Sequence, residues 1–393
     1  MPLQPNLRSR SLTESLTLAI AAKANKLRSD GLDVVSLGAG EPDFGTIESV
    51  AAAGVDAIHR GETRYTAAAG TPELRAAAAE WFNREFGFDY TAAEVMATAG
   101  VKPALHMALM TIVEPGDRVL LPAPYWVSYP SLVEIAGGVP IDVATVPDQG
   151  FIHTGEQILE AAREHGAKGV MLNYPNNPSG AAPTEDQIRS LVDAAVEADL
   201  WIISDEIYAS ILYDDAEHVS PATFARDRTI VVNGGSKSHS LTGWRIGFLA
   251  GPTDIVKAAA KIQSQAIGNP ASPSQAAGLE AARGDHSEEI ARRVAAFDER
   301  RRYLVSALNE IDGVSARPPQ GAFYLMADVR ELCERLGIDD VKLAERLLDD
   351  VLLSVVPCGP FAAPGFIRLS YAASMEQLQD AVVRLHKFVE STA

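Results

Sequence analysis

The chain has 393 residues, of which 47% are hydrophobic and 22% charged, a composition typical of a folded protein with two or three domains. Its formal net charge of −18 disfavours binding to the phosphate backbone of nucleic acids. Two cysteines are too few for a disulfide framework, and the sequence lacks an apolar run of about 18 residues that could cross a membrane. Because the first residues do not resemble a secretory signal, we expect a cytoplasmic protein.

Helical patterns and short apolar runs alternate through the first two thirds of the chain. The helical patterns cover residues 11–29, 72–85, 130–136 and 185–198. The apolar runs cover residues 32–37, 117–121, 169–172, 200–204, 229–233 and 246–250. Thr71 before Pro72, and Thr184 three residues before Gln187, are typical helix starts. Continuous apolar strands separated by helices predict an α/β fold with a buried, mostly parallel sheet.

The pattern changes after Asp254. Charged helices are predicted over residues 287–311 and 341–348, and short strands over residues 322–325, 353–356 and 366–370. This alternation predicts a smaller α+β domain, which we expect the N-terminal helix to join. The predicted division is a large domain of residues 46–282 and a small domain of residues 1–45 plus 283–393.

A glycine-rich segment with one lysine follows the strand predicted at residues 229–233. Its sequence is Val231-Val-Asn-Gly-Gly-Ser-Lys-Ser-His-Ser-Leu-Thr-Gly-Trp-Arg-Ile-Gly247. Small residues let a planar ligand approach the backbone, and a lysine there can lose its charge and attack an aldehyde. Arg245 follows Lys237 by eight positions and can bind a phosphate through two hydrogen bonds. Alone, Gly-Ser-Lys would predict only an exposed turn.

This segment resembles the lysine motif of the class I and II aminotransferases, which are pyridoxal 5′-phosphate (PLP) enzymes of fold type I. The resemblance is carried by the spacing of Lys237, Gly243, Arg245 and Gly247. It implies PLP held by Lys237 as a Schiff base, with Ser236 and Arg245 contacting the cofactor. Gly234 stands where the family often has a serine that contacts the phosphate, so one such contact is weakened.

Two further motifs imply contacts to the cofactor ring. Ser204-Asp-Glu-Ile-Tyr208 ends a predicted strand, and Asn173-Tyr-Pro-Asn-Asn-Pro-Ser-Gly180 is similar to the family's Asn-Pro-Thr/Ser-Gly motif. The resemblance implies that Asp205 pairs with the pyridine nitrogen and keeps the ring protonated, which makes it a better electron sink. Tyr208 and Asn177 would hydrogen-bond the ring's phenolic oxygen. By itself Asp205 would more commonly be a helix N-cap.

Three segments are expected around the cofactor's phosphate and ring face. In Thr98-Ala-Gly-Val-Lys-Pro-Ala-Leu105, the backbone N–H groups of Gly100, Val101 and Lys102 would open a helix and face the phosphate. In relatives, the aromatic residue at the position of Trp126 stacks on the ring. Tyr65 resembles the tyrosine that reaches the phosphate of the partner subunit, which implies a homodimer with shared active sites.

Substrate contacts are expected from both ends of the chain. Gly365-Phe-Ile-Arg-Leu-Ser-Tyr371 resembles the family's C-terminal substrate motif, so Arg368 would bind the α-carboxylate with two hydrogen bonds. The segment of residues 36–44 matches the N-terminal motif, in which the backbone of Gly40 would contact the substrate. A dinucleotide-binding loop at Gly38 is excluded, since the third glycine is not in place and no helix follows.

Over nearly the whole chain the sequence is most similar to bacterial aspartate aminotransferases of the thermophile and cyanobacterial type, which often also accept prephenate. This resemblance implies that Lys102 and Thr17 bind the distal carboxylate of a dicarboxylic substrate, beside Trp126 and Asn177. The reaction expected is transamination of aspartate, glutamate or prephenate-type dicarboxylates with 2-oxoglutarate.

Other activities share these motifs. An aromatic or alanine aminotransferase, a PLP β-lyase and a cyclopropane-forming synthase differ mainly in the substrate pocket, where Thr17 and Lys102 are the distinguishing evidence. A PLP-sensing regulator is disfavoured, since about forty residues precede the Gly38 loop, too few for a helix-turn-helix domain. The histidines lack metal-binding spacing, so we expect no metal.

Overall fold

The computed structural model describes residues 3–6, 9–10, 12, 16–144 and 147–392, and the side chains of residues 16–18 lie outside this description. The helices of four residues or more between residues 16 and 392 are α1 (Leu16–Ser29), α2 (Glu48–His59), α3 (Pro72–Phe86), α4 (Val101–Ile112), α5 (Tyr129–Ala136), α6 (Gly155–His165), α7 (Glu185–Glu197), α8 (Thr253–Ala266), α9 (Ser272–Arg283), α10 (Ser287–Leu308), α11 (Arg330–Leu336), α12 (Asp340–Val351) and α13 (Met375–Ser391).

The strands of the described residues form three sheets. They are β1 (Val35–Ser36), β2 (Val95–Thr98), β3 (Arg118–Pro122), β4 (Val139–Val143), β5 (Gly169–Asn173), β6 (Trp201–Asp205), β7 (Thr229–Asn233), β8 (Gly247–Ala250), β9 (Ser315–Ala316), β10 (Tyr324–Asp328), β11 (Leu353–Ser354), β12 (Val356–Pro357) and β13 (Phe366–Ser370).

The large sheet has seven strands in the order β2-β8-β7-β6-β5-β3-β4. Neighbouring strands are parallel except at β8, which is antiparallel to both β2 and β7. Every residue of β5 and β7 is buried, as is usual for strands covered on both faces. The prediction of a mostly parallel α/β sheet is therefore confirmed.

Two predicted helix starts have their capping hydrogen bonds. The Thr71 side chain accepts from the backbone N–H of Leu74 at 3.2 Å, and Pro72 is the first helical residue of α3. At the start of α7 the two caps are reciprocal. The Thr184 hydroxyl accepts from the backbone N–H of Gln187, and the Gln187 side-chain oxygen accepts from the backbone N–H of Thr184 at 2.9 Å. These bonds satisfy N–H groups that have no partner within the helix.

The two ends of the chain meet beside the large sheet. Strand β1 pairs in parallel with β11, and Lys23 of α1 lies 2.6 Å from the Asp349 carboxylate of α12. A four-stranded antiparallel sheet in the order β12-β13-β10-β9 lies in the C-terminal part. The N-terminal helix therefore contacts the C-terminal elements as expected, while the predicted domain boundaries at residues 45/46 and 282/283 stay a prediction.

Two predicted strands differ from those observed. The run at residues 32–37 forms only the two-residue strand β1, because its partner β11 is itself two residues long. The run at residues 353–356 is split, since β11 pairs with β1 whereas β12 pairs with β13 of the other sheet. Within the described residues, no helix is long and apolar enough to span a membrane.

Two adjacent aspartates at the start of α12, the N-cap Asp339 and the first helical residue Asp340, provide a matched test of exposed and buried hydrogen bonding. The buried Asp340 carboxylate accepts the backbone N–H groups of Gly359 at 2.7 Å and Gly365 at 3.1 Å, whereas Asp339 is an exposed N-cap. We expect Asp340→Ala to lower the free energy of unfolding by about 3 kcal/mol, because two N–H groups lose a charged acceptor. Asp339→Ala should cost about 1 kcal/mol. Urea titrations followed by fluorescence would contradict this if the two losses were equal.

Candidate active site

The main cavity, of about 750 Å³, lies at the carboxyl ends of the parallel strands. Asn173 at the end of β5 pairs in register with Asp205 at the end of β6, and the lysine loop follows the end of β7. The sequence-predicted residues that line the cavity are Gly40, Val101, Lys102, Trp126, Asn177, Asp205, Tyr208, Ser236, Lys237, Arg245 and Arg368. The fold thus brings together motifs that are more than 300 positions apart in the chain.

Lys237 projects from the loop after β7. Its Nζ donates a hydrogen bond to the carbonyl oxygen of Gly40 at 2.5 Å, which joins the lysine loop to the N-terminal motif. Burial lowers the pKa of Lys237 to about 8, with Arg368 and Arg245 acting in the same direction and Glu41 and Asp205 opposing it. About a tenth of such amines are neutral at pH 7, so this amine can act as a nucleophile or base.

Asp205 is buried at the end of β6. Its Oδ2 accepts from the Tyr129 hydroxyl at 2.8 Å, and its Oδ1 accepts from the backbone N–H of Ile207 at 3.3 Å. Burial raises the pKa of Asp205 to about 6, while these hydrogen bonds and Lys237 lower it. A turn follows, so Asp205 is not a helix N-cap. The carboxylate is therefore fixed and ready to pair with a protonated ring nitrogen.

Two buried phenols lie beside the lysine. The hydroxyls of Tyr208 and Tyr324 are 2.9 Å apart, and the Lys237 Nζ lies 5.8 Å from the centre of the Tyr208 ring. Burial raises the pKa of Tyr208 well above its ordinary value, so the phenol stays protonated at neutral pH. Tyr208 can therefore donate a hydrogen bond to an anionic oxygen in the cavity.

Arg368 lies on β13, an interior strand of the four-stranded sheet, and only 6% of the residue is exposed. Its Nη1 donates to Asn177 Oδ1 at 2.9 Å and its Nη2 to the carbonyl of Gly38 at 3.0 Å. Its Nε is buried without a hydrogen-bond partner in the described chain. No described carboxylate forms an ion pair with it, so the guanidinium is suited to bind a carboxylate ligand.

The other end of the cavity combines a helix start with an arginine. Helix α4 begins at Val101 after Gly100, which has a φ of 107°. A Cβ on Gly100 would lie 2.5 Å from Arg245 Nη2, and one on Gly247 would lie 2.7 Å from the Val101 nitrogen. Only glycine therefore lets the Arg245 guanidinium lie against the first turn of α4. Free N–H groups beside a guanidinium fit a phosphate group.

Lys102 lies one residue inside α4, with its Nζ 4.5 Å from the centre of the Trp126 ring. Burial, followed by the charge of Arg245, lowers the pKa of Lys102. Helix α1 reaches the same cavity through Ile20, but the side chain of Thr17 lies outside the described residues. Tyr65 does not line the cavity and is 97% exposed, so its expected role depends on a partner subunit.

Sequence reasoning missed several residues of the site. Tyr129 lies three residues after Trp126, which was predicted to cover the ring, so its position was a usable signal. Glu41 accepts a hydrogen bond from the Thr242 hydroxyl at 2.9 Å, which joins two recognised motifs. Tyr324 and Phe361 line the cavity without a recognisable local motif.

A family model described as "Aminotransferase class I and II" matches residues 32–385. The chain belongs to this family. The resemblance inferred from the lysine loop is thereby confirmed.

Individual relatives match over almost their full length. The chain is 40% identical to an aspartate aminotransferase of Bacillus sp. (strain YM-2), covering 98% of both chains. It is 42% identical to an aspartate/prephenate aminotransferase of Thermus thermophilus, covering 96% of both chains.

Solved structures agree with the fold. An aspartate aminotransferase from Thermus thermophilus with maleate is similar at a TM-score of 0.93 and 40% identity, covering 98% of this chain and all of the other. One from Rhizobium meliloti has a TM-score of 0.94 and 39% identity, covering 99% of each chain. The fold-type prediction for this aminotransferase is confirmed by these neighbours.

The hydrogen bond from Tyr129 to Asp205 can be tested directly. In Tyr129→Phe, we expect the pKa of Asp205 to rise above about 6, because the carboxylate loses a donor while its burial remains. Infrared titration of the protonated carboxyl band in the cofactor-free protein measures this pKa, and Asp205→Asn identifies the band. An unchanged midpoint in Tyr129→Phe would contradict the assigned role.

Proposed function

We propose that this chain is a PLP-dependent aspartate aminotransferase that uses 2-oxoglutarate as the second substrate. The observation that carries the proposal is the convergence of Lys237, Asp205 and Arg368 on one cavity. These side chains provide an amine for attaching an aldehyde, a carboxylate for a pyridine nitrogen and a guanidinium for an α-carboxylate. The family membership supports the same reaction type.

The residues present fit PLP. The start of α4 and Arg245 would hold the phosphate, Asp205 the ring nitrogen, Tyr208 and Asn177 the phenolic oxygen, and Lys237 the aldehyde carbon. Ser236 would contact the cofactor beside the lysine, and Trp126 would cover the ring. When bound, PLP supplies an electron sink for cleavage of the amino acid's Cα–H bond.

Lys237 is the proton carrier in this proposal. Its pKa of about 8 gives a usable fraction of neutral amine near neutral pH, so Nζ can accept the proton of the amino acid's Cα and hold it for return. The phenol of Tyr208, whose pKa burial raises well above its ordinary value, stays protonated and does not compete for that proton. Activity should therefore rise as the pH approaches 8.

Arg368 orients the amino acid. Among the described residues, the Arg368 Nε has no hydrogen-bond partner and its Nη1 donates to Asn177. The guanidinium can therefore reorient to donate hydrogen bonds to both oxygens of a carboxylate. Binding at that end leaves the substrate side chain directed away from β13. The backbone of Gly40 borders the same space and would contact the substrate.

Lys102 supports a dicarboxylic substrate, because a second cation in the cavity can bind a second carboxylate. The relatives named aspartate aminotransferase, one of them solved with the dicarboxylate maleate, favour the same substrate class. Thr17 of α1 would assist Lys102. Prephenate-type dicarboxylates and glutamate fit the same charge pattern.

We also propose a cytoplasmic homodimer in which Tyr65 reaches the phosphate site of the partner subunit. The exposure of this tyrosine, at 97%, supports a contact outside its own chain. Without such a contact, the apolar surface of the tyrosine ring would be exposed to water, which is energetically unfavourable.

The lysine assignment predicts the behaviour of Lys237→Ala. Aspartate aminotransferase activity should fall by about 10⁴-fold, because the base and the point of attachment are both removed. Borohydride reduction followed by peptide mass analysis should place the cofactor on Lys237 in the unaltered enzyme. Lys257→Ala, at an exposed lysine, is the control and should remain fully active. Label on another lysine would refute the assignment.

The distal-carboxylate assignment predicts a selective effect of Lys102→Gln. We expect kcat/KM for aspartate to fall about 10- to 100-fold, because one charged hydrogen bond is lost. The value for alanine, which has no distal carboxylate, should change little. Steady-state kinetics with both substrates measures the ratio, and an equal loss for both would exclude this role for Lys102.

A further inference from the structure

Asn173, the last residue of β5, lines the main cavity but has no role in the proposed function. It is 5% exposed, so the polar groups of its side chain need partners within the protein. Strand β5 ends here, and Pro175 has no N–H group with which to continue the hydrogen-bond ladder towards β6. The side chain of Asn173 provides the next hydrogen bond between the two strands.

The Asn173 amide connects two residues that the proposed function assigns to the cofactor ring. Its Nδ2 donates to the backbone carbonyl of Asp205 at 2.9 Å, and its Oδ1 accepts from the backbone N–H of Asn177 at 2.9 Å. A carbonyl can only accept and an N–H can only donate, so both bonds form in a single orientation of the amide. A side chain with only donors or only acceptors cannot replace Asn173 in both bonds.

The side chains of these two partners are held by other neighbours. The Asp205 carboxylate accepts from the Tyr129 hydroxyl and from the backbone N–H of Ile207. The Oδ1 of Asn177 accepts from Arg368 Nη1 at 2.9 Å. Among the described residues the Nδ2 of Asn177 has no partner, so it is available to donate into the cavity. Other residues therefore orient the two side chains, while the Asn173 amide links their backbones.

We propose that Asn173 is a positioning residue that fixes the spacing between Asp205 and Asn177. The inference rests on the proposed function, in which Asp205 pairs with the ring nitrogen and Asn177 with the phenolic oxygen of PLP. Those two atoms belong to one rigid ring and lie at a fixed distance from each other. Both protein groups therefore bind the ring at full strength only if their own spacing matches that distance, and the Asn173 amide sets that spacing.

Calorimetric titration of the cofactor-free enzyme with pyridoxamine 5′-phosphate tests this role, because that amine has no aldehyde with which to attach to Lys237. Two analogues of the amine are titrated in parallel: one lacks the phenolic oxygen, and one has carbon in place of the ring nitrogen. We expect the unaltered enzyme to bind each analogue about 10- to 100-fold more weakly, since each loses one charge-assisted hydrogen bond. In Asn173→Ala, both of these affinity ratios should fall by about tenfold.

Asn176→Ala is the matched control. Asn176 lies in the turn after β5 and is also 5% exposed. Its side chain bonds to the Pro124 carbonyl at 3.0 Å, the Ser179 hydroxyl at 2.7 Å and the Asn173 carbonyl at 3.3 Å, and none of these bonds reaches the two ring-binding residues. We expect Asn176→Ala to lower the thermal unfolding midpoint at least as much as Asn173→Ala does, but to leave both affinity ratios unchanged.

Asn173→Asp provides a second variant if the alanine variant does not fold. An aspartate has the same shape and keeps an acceptor for Asn177, but its carboxylate has no N–H to donate to Asp205, so only the ring-nitrogen ratio should fall. The inference is wrong if Asn173→Ala keeps both ratios, loses just one of them, or gives the same ratios as Asn176→Ala. If the unaltered enzyme binds the amine and its analogues equally, the ring contacts in the proposed function are wrong as well.

Discussion

Five cations line the main cavity without a carboxylate partner: among the described residues, Arg28, Lys102, Lys237, Arg245 and Arg368 form no ion pair. Like charges held together in a partly buried space cost free energy, which an anionic ligand recovers on binding. Burial lowers the pKa of both Lys102 and Lys237, and the charge of Arg245 acts in the same direction on each.

The large sheet makes this concentration of charge possible. Strands β5, β6 and β7 end at one edge, so Asn173, Asp205 and the lysine loop arise within a few ångströms of each other without long supporting loops. Helix α4 adds its N-terminus at the same edge. Glycine at position 100 leaves room for the Arg245 guanidinium, and glycine at position 247 lets β8 lie against the first turn of α4. The cations thus rest on rigid elements, which limits how far they can separate to relieve their repulsion.

Much of this organisation could be predicted from the sequence, because the decisive residues lie in contiguous motifs. The strands delivering Asp205 and Lys237 are apolar runs, and capping residues mark the starts of α3 and α7. Tyr324 could not be found in this way: it enters the site only because β10 pairs with β13, and such pairing depends on distant parts of the chain. The short strands β1, β11 and β12 were misjudged for the same reason, since their lengths are set by their partners.

The meeting of the two chain ends has a consequence for biosynthesis. The carbonyl of Gly38 accepts a hydrogen bond from Arg368, so the end of the cavity proposed to bind the substrate is built from segments 330 positions apart. A nascent polypeptide that has emerged as far as α12 already contains Lys237, Asp205 and Arg245, but not the guanidinium that would hold an amino acid. The groups proposed to bind the cofactor are therefore translated before the arginine proposed to recognise the substrate. On this proposal, the new chain cannot select its substrate until β13 has been added.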